Sequence, residues 1–248
     1  LSLMVMDLKV TIIQSDLHWE AVDKNLEMFN QKIGSISEPT DVIVLPEMFN
    51  TGFSMLSEKL AESMDGKTIA WMKDQAHKTN SVITGSLIIK EQYKFYNRLV
   101  WVQPDGDYFT YDKRHLFRMA DEHKSFSPGK KRIIINYKGW RICPMVCYDL
   151  RFPVWSRNSF NKETPAFDLL IYMANWPEAR KMHWSKLLEA RAIENQCYVV
   201  GVNRTGKDEN GISYTGNSTI INYLILHVFA FAAGAPSAGP CRGRYSEL

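Results

Sequence analysis

Short apolar runs rich in β-branched residues recur along the chain and are separated by more polar segments. Each run is five to eight residues long, the length typical of a strand buried on at least one face of a sheet. The pattern predicts strands over residues 9–14, 41–45, 82–89, 99–103, 132–137, 141–146, 169–174 and 198–203.

Helical periodicity appears between some of these runs, with apolar residues three or four positions apart. The predicted helix faces consist of Val22, Leu26, Phe29 and Ile33, then Ile69, Met72 and Ala76, and finally Trp184, Leu188 and Ala192. The segments "QPDGDY" at 103–108 and "YKGW" at 137–140 have the composition of hairpin turns. Hairpins mixed with alternating strands and helices favour an α/β fold with mixed sheets covered by helices.

The domain organisation predicted from this pattern is a single domain over residues 1–248, because no linker, repeat or low-complexity stretch precedes residue 222. Residues 222–248 differ in character. They are rich in Ala, Gly and Pro and have no clear helical or strand period after Ala230. We expect this segment to be an atypical tail, disordered or rearranged.

Composition and charge restrict the partners. The chain has 248 residues, 45% of them apolar, with a net charge of +3 and no basic tract, so we expect neither nucleic acid nor an anionic membrane as a partner. The apolar segment "YLILHVFAFAAG" is too short to span a bilayer. Four cysteines without a CxxC pair, and a start without a signal-peptide pattern, predict a cytoplasmic protein.

Three predicted strands are followed by a reactive side chain: Glu47, Lys113 and Cys147. A carboxylate, an ammonium and a thiol supply the proton shuttle, the oxyanion stabiliser and the nucleophile for attack on a carbonyl. Each residue also has an ordinary structural interpretation, and His115 or His123 is an alternative partner for Cys147. No HExxH, GxGxxG or P-loop occurs, so we expect no metal and no cofactor.

The segments "LPEMFNTGF", "YDKRHLF" and "CYDLRFPVW" resemble, in this order, the three catalytic boxes of the nitrilase superfamily of carbon-nitrogen hydrolases. The resemblance covers about residues 8–221. "FRMADEHKSFSPG" and the segment from "YMANWPEAR" to "TGNS" are similar to its ω-amidase branch. This resemblance implies a four-layer αββα sandwich, a homodimer or higher homo-oligomer, and hydrolysis of the distal amide of a 2-oxo acid to carboxylate and ammonia.

The resemblance also implies the roles of the site residues. Cys147 would be the nucleophile and Glu47 the general base. Lys113 and the backbone N–H of Tyr148 would stabilise the oxyanion, and Glu122 would hold Lys113 in place.

The substrate-facing positions are predicted less directly. Phe117 and Trp176 are expected to line the pocket as aromatic walls. Arg151 or Arg180 is expected to bind the free carboxylate of the substrate.

The resemblance ends after "GNSTII", where family members usually continue with a Pro-x-Gly-Glu turn. Tyr223 occupies the expected proline position and no Gly-Glu follows. Because of this atypical terminus, a catalytically inactive binding or scaffold protein stays open as an alternative. Two further alternatives are a hydrolase of another amide, carbamoyl or nitrile compound within the same superfamily, and a Cys-His peptidase that uses His115 or His123.

Overall fold

Two six-stranded sheets form the centre of the molecule. The structure is a computed structural model that describes residues 7–162, 164–224, 227–230 and 237–241. The strands are β1 Leu8–Ile12, β2 Val42–Val44, β3 Val82–Glu91, β4 Lys94–Val102, β5 Tyr108–Asp112, β6 Ile135–Tyr137, β7 Trp140–Val146, β8 Phe160–Asn161, β9 Thr164–Pro165, β10 Leu169–Ala174, β11 Tyr198–Asn203, β12 Thr205–Lys207, β13 Ser213–Thr215, β14 Thr219–Ile221, β15 His227–Ala230 and β16 Ser237–Cys241. The α-helices are α1 Val22–Gly34, α2 Ser57–Leu60, α3 Lys67–Thr79, α4 Glu122–Ser125, α5 Pro153–Ser156 and α6 Lys181–Asn195.

Both sheets are mixed. The first has the order β16-β1-β2-β3-β4-β5, and the second β15-β14-β11-β10-β7-β6. In the first sheet β1, β2 and β3 are parallel, and in the second β7, β10 and β11 are parallel. The outer strands pair antiparallel. The mixed sheets predicted from the sequence are therefore confirmed.

Side chains that point alternately to the two faces of each strand allow the two sheets to pack face to face. In the β2 region, Val42 and Val44 belong to the core shared with the second sheet. Ile43 and Leu45 belong to the core under α1 and α3. Because successive side chains of a strand point to opposite faces, the first sheet is buried on both sides.

Helix α6 covers the outer face of the second sheet. Trp184, Leu188 and Ala192 join its apolar core. At Gly201 in β11, a β-carbon would lie 2.5 Å from a methyl carbon of Leu188, so glycine allows the close approach of α6. Together with α1 and α3 on the other side, this arrangement gives the αββα sandwich that the sequence predicted.

The two predicted hairpin turns are present. The N–H of Gln103 donates to the carbonyl of Asp107 between β4 and β5 (2.8 Å), and Gly106 has φ +89°. Lys138 and Gly139 have φ +47° and +81° between β6 and β7, as a tight primed turn requires. The strand predicted over residues 99–103 is too short. β4 begins at Lys94 and forms a long two-stranded ribbon with β3.

The atypical tail contains two strands that its sequence pattern did not predict. β15 adds to the second sheet beside β14, and β16 pairs antiparallel with β1 in the first sheet. The remainder of the tail beyond residue 224 lies outside the described residues. Edge pairing depends on backbone hydrogen bonds, so it does not require an apolar period. Within the described part of the chain, no helix has the length and apolar character needed to cross a membrane.

Candidate active site

The predicted reactive residues meet at one edge of the two sheets. Glu47 follows β2, Lys113 follows β5, and Cys147 follows β7. Glu47 and Lys113 are 0% and 1% exposed, and Cys147 is 8% exposed. The carboxyl ends of parallel strands meet at one edge, which is where ligands bind in open α/β sheets.

The Lys113 ammonium is held between two carboxylates. Its Nζ donates to Glu47 Oε1 (2.8 Å) and to both oxygens of Glu122 (3.0 and 2.9 Å). Glu122 opens α4 and also accepts the N–H of Phe117 (2.5 Å). Asn97 Nδ2 donates to Glu47 Oε1 (2.8 Å) and Glu122 Oε1 (3.1 Å). The ammonium and the amide thus fix both carboxylates.

The second oxygen of Glu47 is bound from the other sheet. Asn175, directly after β10, donates its N–H to Glu47 Oε2 (2.9 Å). Its side-chain amide donates to the backbone carbonyl of Glu47 (2.6 Å). The next residue, Met48, has φ +44°, and its N–H donates to the Ser86 hydroxyl (2.9 Å). This sharp turn directs the carboxylate towards the space between the sheets.

Cys147 lies at a strained turn between β7 and the 3₁₀ helix Cys147–Arg151. Its φ is +42°, a conformation that costs free energy for a residue other than glycine and that clusters at functional sites. Cys143 lies inside β7 and is fully buried in the core. Burial raises the pKa of the Cys143 thiol to about 12, in keeping with the packing role that its position predicts.

Burial and charge determine the protonation of the site. Burial lowers the pKa of Lys113, but Glu122 and Glu47 raise it more, so the net shift is upward and the amine stays charged. Burial raises the pKa of Glu122, Lys113 lowers it, and Glu47 raises it, with a net increase. Burial is the largest cause that raises the pKa of the Cys147 thiol, and the negative charge of Glu47 is the second. The positive charge of Lys113 lowers this pKa, but the net result lies well above the usual value.

This arrangement suits nucleophilic catalysis assisted by a base. The resting thiol of Cys147 is neutral, and the nearby charge of Glu47 contributes to its raised pKa. A nucleophile of this kind loses its proton to an adjacent carboxylate as it attacks. The Lys113 ammonium, which binds the same carboxylate, supplies positive charge for an oxyanion.

A cavity of about 60 Å³ is located at Cys147. The predicted pocket residues all line it: Phe117, Tyr148, Arg151, Trp176 and Arg180. The structure adds Phe53, Ala120, Asn175, Pro177, Ile212 and Tyr214. The walls are mostly apolar and aromatic, as expected for a small-molecule site with few polar contacts.

Two arginines bring positive charge to the cavity. The guanidinium of Arg151 lies over the Trp176 ring, and that of Arg180 over the Phe117 ring, each 5.2 Å from the centroid. Arg151 Nη2 also lies 2.8 Å from Nδ1 of His183. Among the described residues neither arginine forms an ion pair with a carboxylate. The cavity is therefore suited to an anionic ligand.

The histidine alternatives are not brought to the thiol. Nδ1 of His115 lies 2.8 Å from Asp149 Oδ1, and its ring stacks on Phe152 with centroids 3.7 Å apart. Neither His115 nor His123 is among the residues that line the cavity at Cys147. For the part of the chain described, no cluster of three or more His, Cys, Asp or Glu side chains is arranged to hold a metal ion.

The sequence reasoning missed Asn97 and Asn175, which bind the Glu47 carboxylate. Asn97 interrupts a strand of mostly aromatic and apolar residues, and Asn175 follows a fully buried strand. A polar residue at such a position is a signal, because buried amides must find hydrogen-bonding partners. The pattern does not identify the partner.

Comparisons with known proteins agree with this geometry. Residues 9–230 match the carbon-nitrogen hydrolase family. An omega-amidase YafV from Yersinia enterocolitica is 49% identical over 217 residues, covering 88% of this chain and 82% of that protein. A 2-oxoglutaramate amidase from Bacillus subtilis is 32% identical over 216 residues, covering 86% and 82%.

Solved structures give the same result. The crystal structure of a CN-hydrolase superfamily protein from Xanthomonas campestris, with an arsenic adduct in its active site, matches with a TM-score of 0.92 and 40% identity. The match covers 95% of this chain and 90% of that one. With its sandwich fold and the match over most of its length, this chain belongs to the carbon-nitrogen hydrolase family.

Proposed function

We propose that this protein is an amidase that hydrolyses the distal amide of a 2-oxo acid, of the 2-oxoglutaramate or 2-oxosuccinamate type, through a thioester on Cys147. The observation that carries the proposal is the buried Glu47–Lys113–Glu122 cluster beside Cys147, which lines the cavity. The names of the relatives, omega-amidase and 2-oxoglutaramate amidase, support the substrate class.

In the first half-reaction, Cys147 Sγ attacks the amide carbon as Glu47 takes the thiol proton. The new S–C bond converts the carbonyl oxygen into an oxyanion. When the tetrahedral intermediate collapses, the C–N bond breaks and Glu47 returns the proton to the departing nitrogen, which leaves as ammonia. The charge of Glu47 acts on the thiol, and in this proposal the carboxylate takes the proton directly.

The proposed oxyanion contacts are the Lys113 ammonium and the N–H of Tyr148. Tyr148 is the first residue after Cys147 in the 3₁₀ turn, where N–H groups have no partner within the helix. Glu122 holds Lys113 with both carboxylate oxygens. A pre-positioned charge in a dry site stabilises the oxyanion without reorganising at the moment of reaction.

In the second half-reaction, water replaces ammonia beside Glu47. The carboxylate removes a proton from the water as its oxygen attacks the thioester carbon, and a second oxyanion forms. Collapse breaks the S–C bond, and the sulfur regains the proton from Glu47. The dicarboxylate product leaves, and the site returns to its starting state.

The proposed substrate contacts explain the preference for an anionic acyl group. Phe117 and Trp176 supply aromatic walls, each beneath a guanidinium. Arg151 or Arg180 binds the free carboxylate of the substrate, since a planar guanidinium matches a carboxylate with two hydrogen bonds. A substrate without a free carboxylate would leave that guanidinium without an anionic partner.

The test is ammonia release from 2-oxoglutaramate, glutamine, asparagine and a simple nitrile, with Cys147→Ala as the blank. Turnover of the 2-oxo acid amide that depends on Cys147 supports the proposal. Cys147-dependent turnover of another compound alone would replace the substrate class. Inactivity on all four, together with a thiol that resists alkylation, would favour a catalytically inactive homologue.

Location and assembly are part of the same proposal. We propose a cytoplasmic protein, because the described cysteines, Cys143, Cys147 and Cys197, are free thiols.

We also propose a homodimer, which light scattering of the purified protein tests. A monomer at micromolar concentration would contradict this assembly.

A further inference from the structure

A buried carboxylate that takes part in none of the proposed proton transfers lies two residues after the nucleophile. Asp149 is 0% exposed and belongs to the 3₁₀ turn that begins at Cys147. Burying an ionised carboxylate is costly unless hydrogen bonds compensate for the lost water. Its partners therefore indicate what the charge does.

Asp149 accepts hydrogen bonds on both oxygens. Oδ2 accepts the Tyr111 hydroxyl (2.7 Å) and the Val146 N–H (3.1 Å). Oδ1 accepts the His115 N–H (2.9 Å) and lies 2.8 Å from the ring Nδ1 of His115. No lysine or arginine pairs with Asp149 among the described ion pairs. Its contacts are short-range and directional.

The partners of Asp149 come from the two segments that carry the proposed chemistry. Tyr111 and His115 lie two residues before and two residues after Lys113. Val146 immediately precedes Cys147. A single carboxylate thus connects the Tyr111 side chain before the lysine and the His115 backbone after it to the turn that presents the thiol.

The tyrosine contact is tightly constrained. Tyr111 is 1% exposed, and burial, with the charge of Asp149, raises the pKa of its phenol well above the usual value. The hydroxyl therefore remains a donor to Asp149. It also accepts the indole N–H of Trp155 (2.9 Å) and the N–H of Arg114 (3.3 Å).

We propose that Asp149 is a positioning residue that fixes the Lys113 ammonium relative to the Cys147 thiol, through Tyr111 and His115 on one side and Val146 on the other. The inference rests on the proposed function, since it assigns Lys113 to the oxyanion. Misplacing a stabilising charge by about 1 Å costs rate in the transition state more than it costs substrate binding.

The first test is Asp149→Asn, which preserves the shape of the side chain but presents an NH₂ group to one pair of donors. We expect kcat to fall by about tenfold or more while KM stays within about twofold. Alkylation of Cys147 by iodoacetamide should stay within about twofold of the wild-type rate, since that reaction forms no oxyanion for Lys113 to stabilise. Tyr111→Phe should change kcat in the same direction and serves as the test if Asp149→Asn does not fold.

The matched control is Asp168→Asn. Asp168 is also buried, but it accepts hydrogen bonds from Arg141. It lies directly before β10, whereas Asp149 lies after the end of β7. We expect a lower melting temperature with unchanged kcat. If Asp149→Asn behaves like this control, or if alkylation falls together with kcat, the positioning role is wrong.

A double-mutant cycle with Lys113→Met separates positioning from general damage. If Asp149 acts through Lys113, the double variant should be no slower than Lys113→Met alone, whereas independent effects would multiply. Multiplied losses would overturn the inference. The rates are measured on whichever amide the wild type hydrolyses, so an error in the proposed substrate shows in the wild type. A wild type inactive on every amide contradicts both proposals.

Discussion

Replacing Lys113 by methionine tests the electrostatic part of the proposed mechanism. The side chain of Lys113 is fully buried. Its ammonium nitrogen lies 2.8 Å from Glu47 Oε1 and contacts both oxygens of Glu122. Methionine has a similar length and no charge. The variant removes the proposed oxyanion contact and also leaves the two carboxylates without their shared cation.

Two effects of different size should follow. Loss of one preorganised oxyanion donor lowers kcat by a factor on the order of 10²–10³. Removing one partner of a buried ion pair costs about 3–5 kcal/mol of stability, which corresponds to a fall in melting temperature of about 6–20 °C for a chain of this size. Part of this cost is relieved when one carboxylate takes up a proton, and Glu122, whose pKa is already raised by burial, is the expected acceptor.

The assay combines steady-state ammonia release with thermal unfolding, at a temperature where the variant remains folded. Lys138→Met is the control, because Lys138 pairs with Asp41 at the surface turn between β6 and β7. That exposed pair should contribute at most about 1 kcal/mol, and activity should not change. A folded Lys113→Met variant with kcat within about threefold of the wild type would refute the role of the ammonium.

The remaining predictions concern the general base Glu47, a close backbone contact at Gly129, and the loss of stability at alkaline pH. Glu47→Gln should nearly abolish turnover while Cys147 remains open to alkylation, and substantial ammonia release would exclude Glu47 as the base. At Gly129 a β-carbon would lie 2.0 Å from the backbone carbonyl of Asp112, whereas at Gly34 nothing lies within 4 Å. Gly129→Ala should therefore lower the free energy of unfolding, measured by urea denaturation, by about 1–3 kcal/mol and Gly34→Ala should not, and equal effects would contradict this steric argument. The Cys143 thiol has its pKa raised by burial to about 12, so the unfolded chain loses this proton first and stability falls as pH rises from about 9 towards 12. In urea unfolding, the wild type should have a higher free energy of unfolding than Cys143→Ala. This difference should shrink by about 2–3 kcal/mol between about pH 9 and 11, and a constant difference would contradict the burial argument.

The residues with the clearest sequence signals are those that end strands. Glu47, Lys113 and Cys147 each follow a strand, and the carboxyl ends of parallel strands meet at one edge of a sheet. Strand ends alone left the ordinary structural interpretation of each residue open, and the resemblance of the three segments to catalytic boxes is what predicted a common site. The segments that carry the family resemblance supplied their proposed roles. The contact of Glu122 with Lys113 also agrees with the expectation from that resemblance.

The hydrogen-bond network around these residues was not predictable. Asn97 and Asn175 reach Glu47 across 50 and 128 residues of sequence, and local patterns do not specify partners over such separations. The strand Ser237–Cys241 is a similar case, since it pairs with β1 from the other end of the chain. Its composition lacks the alternation that predicts a strand, because edge pairing can rely on the backbone alone.

The central claim is that Cys147 forms a thioester with the acyl group of a 2-oxo acid amide. The direct measurement is intact-protein mass spectrometry of the enzyme quenched with acid during turnover of 2-oxoglutaramate, followed by peptide mapping. We expect an adduct with the mass of the substrate minus ammonia on the peptide containing Cys147, absent from Cys147→Ala. Sustained ammonia release by Cys147→Ala, or an adduct on another residue, would contradict it.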